Sequence, residues 1–206
     1  MFSFKTKLFA ITDVRISGLS HAEQVTQLSA GGATLIQLRE KHLSAREFYA
    51  EAAAALRVAR SRGVRVIIND RVDIALALRA DGVHLGQTDL SPTVARTLLG
   101  PHAIIGLSTH NVEQARAAAN MPIDYLAIGP IFSTSTKDNP DPTVGLTGLR
   151  EVREVCRLPL VAIGGITASN AADVIDSGAD AVAIIQSLLK NTSDIRRLTA
   201  WLLDHL

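Results

Sequence analysis

Between Thr34 and Lys41 an apolar run ends with Gln37, Arg39 and Lys41 at alternate positions. In an extended strand alternate side chains share a face, so two cations and an amide converge there. A planar guanidinium fork beside a point-charged ammonium suits a phosphate or diphosphate group. Taken singly, Arg39 and Lys41 also read as surface residues paired with Glu40. The run Ile67 to Asp70 ends in Asn69 and Asp70, and His84 leads through Leu85, Gly86 and Gln87 to a second carboxylate, Asp89. Asp70 alone reads equally well as the N-cap of a helix starting at Arg71. Asp89 has no such duty, because Ser91 and Pro92 already supply the start of the next helix. Two carboxylates beside a cationic cradle repel an anion unless a divalent ion lies between them, and an oxygen-only donor set favours Mg²⁺. Asp70 and Asp89 are therefore expected as metal ligands.

Later segments suggest a second anion site. From Gly129 to Gly145 the chain is rich in hydroxyls and proline, with Thr134, Thr136 and Lys137 at its centre. As a connection it is long, and it reads either as a solvated linker or as a lid that carries Lys137 to a phosphate. Gly164 and Gly165 follow another apolar run, and Ile185, Gln186 and Ser187 end the last one. Glycines at such places permit close backbone approach to a phosphate, although a glycine pair alone is equally a tight turn. Ser108 stands at another run's end, suited to a diphosphate or to the turn before Asn111. His84 reads first as a hydrogen-bonded core histidine, and Cys156 as buried packing.

These positions need a scaffold that brings many run ends together. Eight short apolar runs recur: Leu8 to Thr12, Thr34 to Leu38, Val64 to Ile68, Gly82 to Leu85, Ala103 to Leu107, Tyr125 to Ile128, Leu160 to Ile163 and Ala181 to Ile185. Amphipathic helical spacing separates them, as in Ala45 to Arg60, Arg71 to Leu78, Val112 to Ala119, Leu149 to Val155 and Ser169 to Ser177. Runs such as Val66 to Ile68 are apolar throughout, as strands covered on both faces must be. The expectation is an α/β fold, one (β/α)8 TIM barrel of parallel strands spanning 1–206, with its chemistry where strands end. An open doubly wound sheet is the alternative, but the first run has no glycine-rich dinucleotide turn after it and there is no P-loop.

With 47% hydrophobic residues the chain can bury one substantial core, and 21 Lys plus Arg against 20 Asp plus Glu leave a formal charge of +1. No global field draws nucleic acid or an anionic membrane, so any anion site must be local. The single Cys156 allows no internal disulfide, and the N-terminal apolar stretch is too short for a signal peptide. No run approaches a membrane span. A cytoplasmic protein is expected, with a homo-oligomer compatible.

Gln37-Leu-Arg39-Glu-Lys41, Asn69-Asp70, His84 to Asp89, Gly129-Pro-Ile-Phe with Thr134-Ser-Thr136-Lys137, and Ala162 to Ile166 together closely resemble the thiamin-phosphate synthase family. The resemblance covers nearly the whole chain. It implies a transferase that joins 4-amino-5-hydroxymethyl-2-methylpyrimidine diphosphate to thiazole phosphate, releases diphosphate and depends on Mg²⁺. On that resemblance Arg39, Lys41, Asn69, Ser108 and Lys137 hold the diphosphate, Asp70 and Asp89 the metal, and Gln37 the pyrimidine. Thr134 and Thr136 contact the thiazole phosphate, with Gly165 cradling it and Ile185 and Gln186 beside it. Arg39, Lys41, Lys137 and Ser108 also count as catalytic, because stabilising a leaving group is the protein's main task in such a reaction. The chain departs from the family pattern at Gln186, where a small hydroxyl residue is usual, and at Ser133, where proline is common. A thiazole tautomerase-like enzyme, or a noncatalytic barrel that binds phosphorylated ligands, are the competing readings.

Overall fold

The computed structural model describes residues 2–134 and 141–206. Its strands are β1 (Leu8–Thr12), β2 (Leu35–Leu38), β3 (Arg65–Asn69), β4 (Gly82–Leu85), β5 (Ile104–Thr109), β6 (Tyr125–Ile128), β7 (Leu160–Ile163) and β8 (Ala181–Ile184). Neighbours in sequence pair in parallel, and β8 closes on β1 with Ala10 opposite Ile184. This is the expected (β/α)8 barrel. The helices are α1 (Val14–Ser17) and α2 (His21–Ala30) after β1, then α3 (Ala45–Ser61), α4 (Val72–Leu78), α5 (Pro92–Leu99), α6 (Val112–Ala118), α7 (Gly145–Val155) and α8 (Ala171–Asp176). The last two are α9 (Gln186–Leu189) and α10 (Ile195–His205). Among the described residues no helix is long and apolar enough to cross a membrane.

Alternation within each strand divides the apolar residues into two cores. Phe9, Ile11, Leu35, Ile67, Tyr125, Ala127, Val161 and Ala183 fill the barrel, whereas Leu8, Ala10, Ile36, Leu38, Val66 and Ile68 meet the surrounding helices. Burying one such Leu, Ile or Phe contributes about 1.5–3 kcal/mol, and this double layer is what holds the rim residues in place. β3 and β5 run further than their apolar residues suggest, because Asn69, Ser108 and Thr109 continue the ladder with polar side chains.

Tyr125 is the largest side chain that is fully buried, and it fits because Gly106 lies opposite. A Cβ at residue 106 would stand 2.1 Å from the Tyr125 Cζ atom. The N-terminal segment closes that end of the barrel: Phe2 and Phe4 pack on Tyr125 with ring centroids 5.8 and 5.5 Å away.

Three aspartates, each one residue before a strand, stitch the same end. Asp81 Oδ2 accepts from the Val66 N–H at 2.8 Å, Asp124 Oδ2 from Ile105 at 2.8 Å, and Asp180 Oδ2 from Leu160 at 2.7 Å. Arg96 and Arg153 brace the last two carboxylates. Helix starts follow local chemistry. Ser20 with Glu23 and Ser44 with Glu47 form capping boxes, and Ser91 caps α5 with Pro92 at its first turn. Asn111 caps α6, but Gln114 reaches past it to accept from the His110 N–H at 2.8 Å.

Candidate active site

The C-terminal strand ends open into a cavity of about 770 Å³, a volume suited to small-molecule ligands. Gln37, Arg39, Lys41, Asn69, Asp70, Asp89, Ser108, Thr134, Gly165, Ile185 and Gln186 all line it. Thr136 and Lys137 lie outside the described residues.

The charged wall is built by residues that position one another. Arg39 pairs with Asp13, whose carboxylate also caps α1 by accepting from the Arg15 and Ile16 N–H groups at 3.0 and 3.2 Å. The guanidinium is therefore steered by a helix cap from the neighbouring strand. Lys41 pairs with Asp70. Asp70 is not the N-cap that sequence alone allows: it takes a left-handed φ of 60°, Arg71 occupies the cap position, and no side chain caps α4. A non-glycine residue at positive φ is uncommon, and here it turns the carboxylate toward the cavity rim. Burial pushes the Asp70 carboxyl above its usual range, the Lys41 ammonium opposes that, and the adjacent Asp89 carboxylate adds to it.

Asp89 does have a structural partner, contrary to the sequence reading. Its Oδ2 accepts from the Gly86 N–H at 2.7 Å, closing the loop after β4. That contact fixes one carboxylate oxygen within reach of Asp70. Among the described residues no cluster of three or more His, Cys, Asp or Glu side chains could hold a metal ion. The protein supplies two carboxylates. Beside them, Asn69 lines the cavity, and its buried Nδ2 has no hydrogen-bond partner among the described residues.

The floor contains two residues that inspection of single strands undervalues. His84 bridges the Tyr125 hydroxyl and the Ser108 hydroxyl, each at 2.8 Å, and Gln87 Nε2 donates to the Ser108 carbonyl at 2.6 Å. Burial holds the His84 imidazole down to about 4, so the ring is neutral near pH 7. The alternation of β4, β5 and β6 was a usable signal, since His84, Ser108 and Tyr125 all fall on inward positions.

The opposite wall is made chiefly of backbone. Gly165 has a φ of 62°, and a Cβ there would stand 2.6 Å from the Ser133 carbonyl oxygen. The glycine is thus required by close packing of the β7 turn on the segment after β6. Thr167 does not cap α8 with its side chain; its N–H donates to Asn170 Oδ1 at 2.8 Å. Ser187 donates to the Ile166 carbonyl at 3.0 Å, tying α9 to the same turn. Lys190 lines this wall as well, a cation that its helical surroundings disguised. His110 spans the two described flanks of the loop after β6: Nδ1 donates to the Gly129 carbonyl at 2.6 Å, and Nε2 lies 3.5 Å from Asp141.

The family described as thiamine monophosphate synthase matches residues 8–188. A thiamine-phosphate synthase of Koribacter versatilis is 50% identical over 190 residues, covering 89% of both chains. One from Chloroflexus aurantiacus is 45% identical over 184 residues, covering 89% of this chain and 85% of the other. The solved thiamine phosphate pyrophosphorylase of Pyrococcus furiosus superposes with a TM-score of 0.87 at 37% identity, covering 98% of this chain and 96% of that one.

Proposed function

From the premise that this chain is an enzyme belonging to the thiamine monophosphate synthase family, we propose that it joins 4-amino-5-hydroxymethyl-2-methylpyrimidine diphosphate to thiazole phosphate and releases diphosphate. The observation that carries the reading is the wall in which Lys41, Asp70 and Asp89 meet beside the unpartnered Asn69 amide. Cations and a neutral donor suit phosphoryl oxygens. A carboxylate pair would repel them unless a divalent ion intervened.

The donor set fits Mg²⁺, which is commonly held by one or two carboxylates, with substrate phosphates and water completing its shell. Asp70 and Asp89 would hold it, and Lys41 would turn from Asp70 toward the diphosphate. When bound, the ion supplies positive charge against the negative charge that grows on the leaving diphosphate.

Arg39, Lys41, Asn69 and Ser108 grip the diphosphate, with Lys137 joining from the loop after β6. Gln37, 3% exposed on the floor, meets the pyrimidine. As the carbon–oxygen bond to the diphosphate breaks, these donors stabilise the departing anion. The thiazole nitrogen then forms the new bond to the pyrimidine methylene. No protein nucleophile is needed, because orienting the two substrates within one cavity supplies much of the remaining rate. Thr134, Thr136 and the Gly165 backbone hold the thiazole phosphate, with Ile185 and Gln186 at its edge. The buried, unpaired Cys156 supports a cytoplasmic setting.

Supplying both substrates with and without Mg²⁺, and measuring thiamin phosphate and diphosphate, tests the reading. Equimolar, Mg²⁺-dependent formation of the two products is expected. Absence of either product overturns it.

A further inference from the structure

We infer that Tyr125 and His84 form an oriented hydrogen-bond relay that commits the Ser108 hydroxyl to donate its proton into the cavity, toward a phosphoryl oxygen. The recipient rests on the diphosphate reading above, whereas the direction of the relay rests on the hydrogen-bond geometry and the burial of these residues.

The three residues come from adjacent strands. His84 on β4 lies opposite Gly106 on β5, and Gly106 lies opposite Tyr125 on β6, with Ser108 two residues further along β5. Tyr125 Oη stands 2.8 Å from His84 Nδ1, and His84 Nε2 stands 2.8 Å from Ser108 Oγ. Such a chain can run in either direction, and the barrel interior decides which.

The Tyr125 side chain is fully buried among Phe2, Phe4 and Phe9, and His84 is the hydrogen-bond partner of its hydroxyl among the described residues. If Nδ1 carried a proton and donated it to Oη, the phenolic proton would have no acceptor. Leaving a buried donor unsatisfied costs about 1–3 kcal/mol. The phenol therefore donates to Nδ1, and burial, which raises its pKa well above the usual value, keeps that proton in place. A neutral imidazole carries one N–H, which must then sit on Nε2 and donate to Ser108 Oγ. With that lone pair engaged, the Ser108 proton is left for an acceptor in the cavity.

A phosphoryl oxygen is such an acceptor. A serine hydroxyl free to rotate presents a lone pair to an anion as readily as a proton, so fixing its direction beforehand removes an ordering cost from ligand binding. The relay also explains why residue 106 has no side chain. Any Cβ there would enter the Tyr125 ring. Tyr125 and His84 are positioning residues: Tyr125 lies behind the cavity lining, His84 forms part of its floor, and both act through Ser108.

Two measurements test this. In the intact protein with ¹⁵N-labelled histidine, long-range ¹H–¹⁵N spectra are expected to show His84 as the Nε2–H tautomer. An Nδ1–H tautomer overturns the relay. Separately, Tyr125→Phe is expected to weaken binding of inorganic diphosphate with Mg²⁺ by about 3- to 10-fold, the value of one neutral hydrogen bond. In a Ser108→Ala background the same change is expected to have no effect. An equal loss in both backgrounds means that Tyr125 acts through packing, and overturns the proposal. If Tyr125→Phe does not fold, the spectrum of the unaltered protein still decides the direction. The expected tautomer with no diphosphate binding by the unaltered protein overturns the diphosphate reading, and with it the assigned recipient, but not the relay's direction.

Discussion

The two ends of the barrel use the same residue type for opposite purposes. At the N-terminal end Asp81, Asp124 and Asp180 each precede a strand and accept a backbone N–H from the strand before. At the C-terminal end Asp70 and Asp89 follow strands, and Asp70 meets a lysine and a like-charged neighbour. Carboxylates of the first kind are satisfied by the fold. Those of the second kind crowd together at an energetic cost that a ligand can relieve. Position relative to the strand, more than residue identity, separates the aspartates that brace the backbone from the pair proposed to serve the chemistry.

That contrast can be broken in order of expected effect. Asp89→Asn keeps an oxygen for the Gly86 N–H but removes the charge, so turnover should fall about 10²- to 10³-fold, equal to about 3–4 kcal/mol, with Tm unchanged. A fall in Tm that tracks the loss of activity would place Asp89 with the stitching aspartates. Next comes a residue between the two ends. His84 has a folded pKa of about 4, below the unfolded value of 6.5, so in that interval the unfolded chain binds a proton that the folded chain refuses. Its contribution is complete above pH 6.5 and is lost as pH falls toward 4, by up to about 3 kcal/mol. Denaturant titrations across that range should show a shallower pH dependence for His84→Gln than for the wild type, and parallel curves would contradict the buried neutral ring.

Asp124→Ala should lower stability by about 2 kcal/mol by stranding the Ile105 N–H, while kcat of the folded protein changes less than about twofold. A large kcat loss at normal stability would erase the distinction between the ends. The smallest effect belongs to Gln186→Ser, which restores a short hydroxyl on the backbone-built wall. KM for the thiazole phosphate should move by about 2- to 5-fold with kcat little altered. An unchanged KM would remove Gln186 from that subsite.

Barrel and charged wall were legible in the sequence because both depend on short-range pattern. Period-two alternation marks Gln37 as inward on β2, whereas Arg39 and Lys41 lie past its end at Leu38 and reach the cavity from the segment that follows, not from the strand face expected. Features that depend on register between strands were not legible. Asp81, Asp124 and Asp180 look like ordinary turn residues until Val66, Ile105 and Leu160 are seen beside them. The Asp13 partner of Arg39 lies 26 residues away, and Gly106 acquires meaning only from Tyr125. Asp89 misled for a related reason: absence of a capping role did not imply absence of a structural one, since its partner is the Gly86 N–H within the same loop. The strand ends of β3 and β5 were cut short because Asn69, Ser108 and Thr109 lack apolar character, and those polar ends include two of the residues assigned to the diphosphate.

The aromatic closure made by Phe2, Phe4 and Tyr125 turns the cavity into a vessel with a floor. Whatever enters at the C-terminal rim leaves by the same rim. Two ligands in line along the barrel axis would be stacked, so the deeper one would enter first and depart last. The sequence of arrivals and departures would then be set by depth, and a tightly held molecule at the mouth would trap its neighbour below.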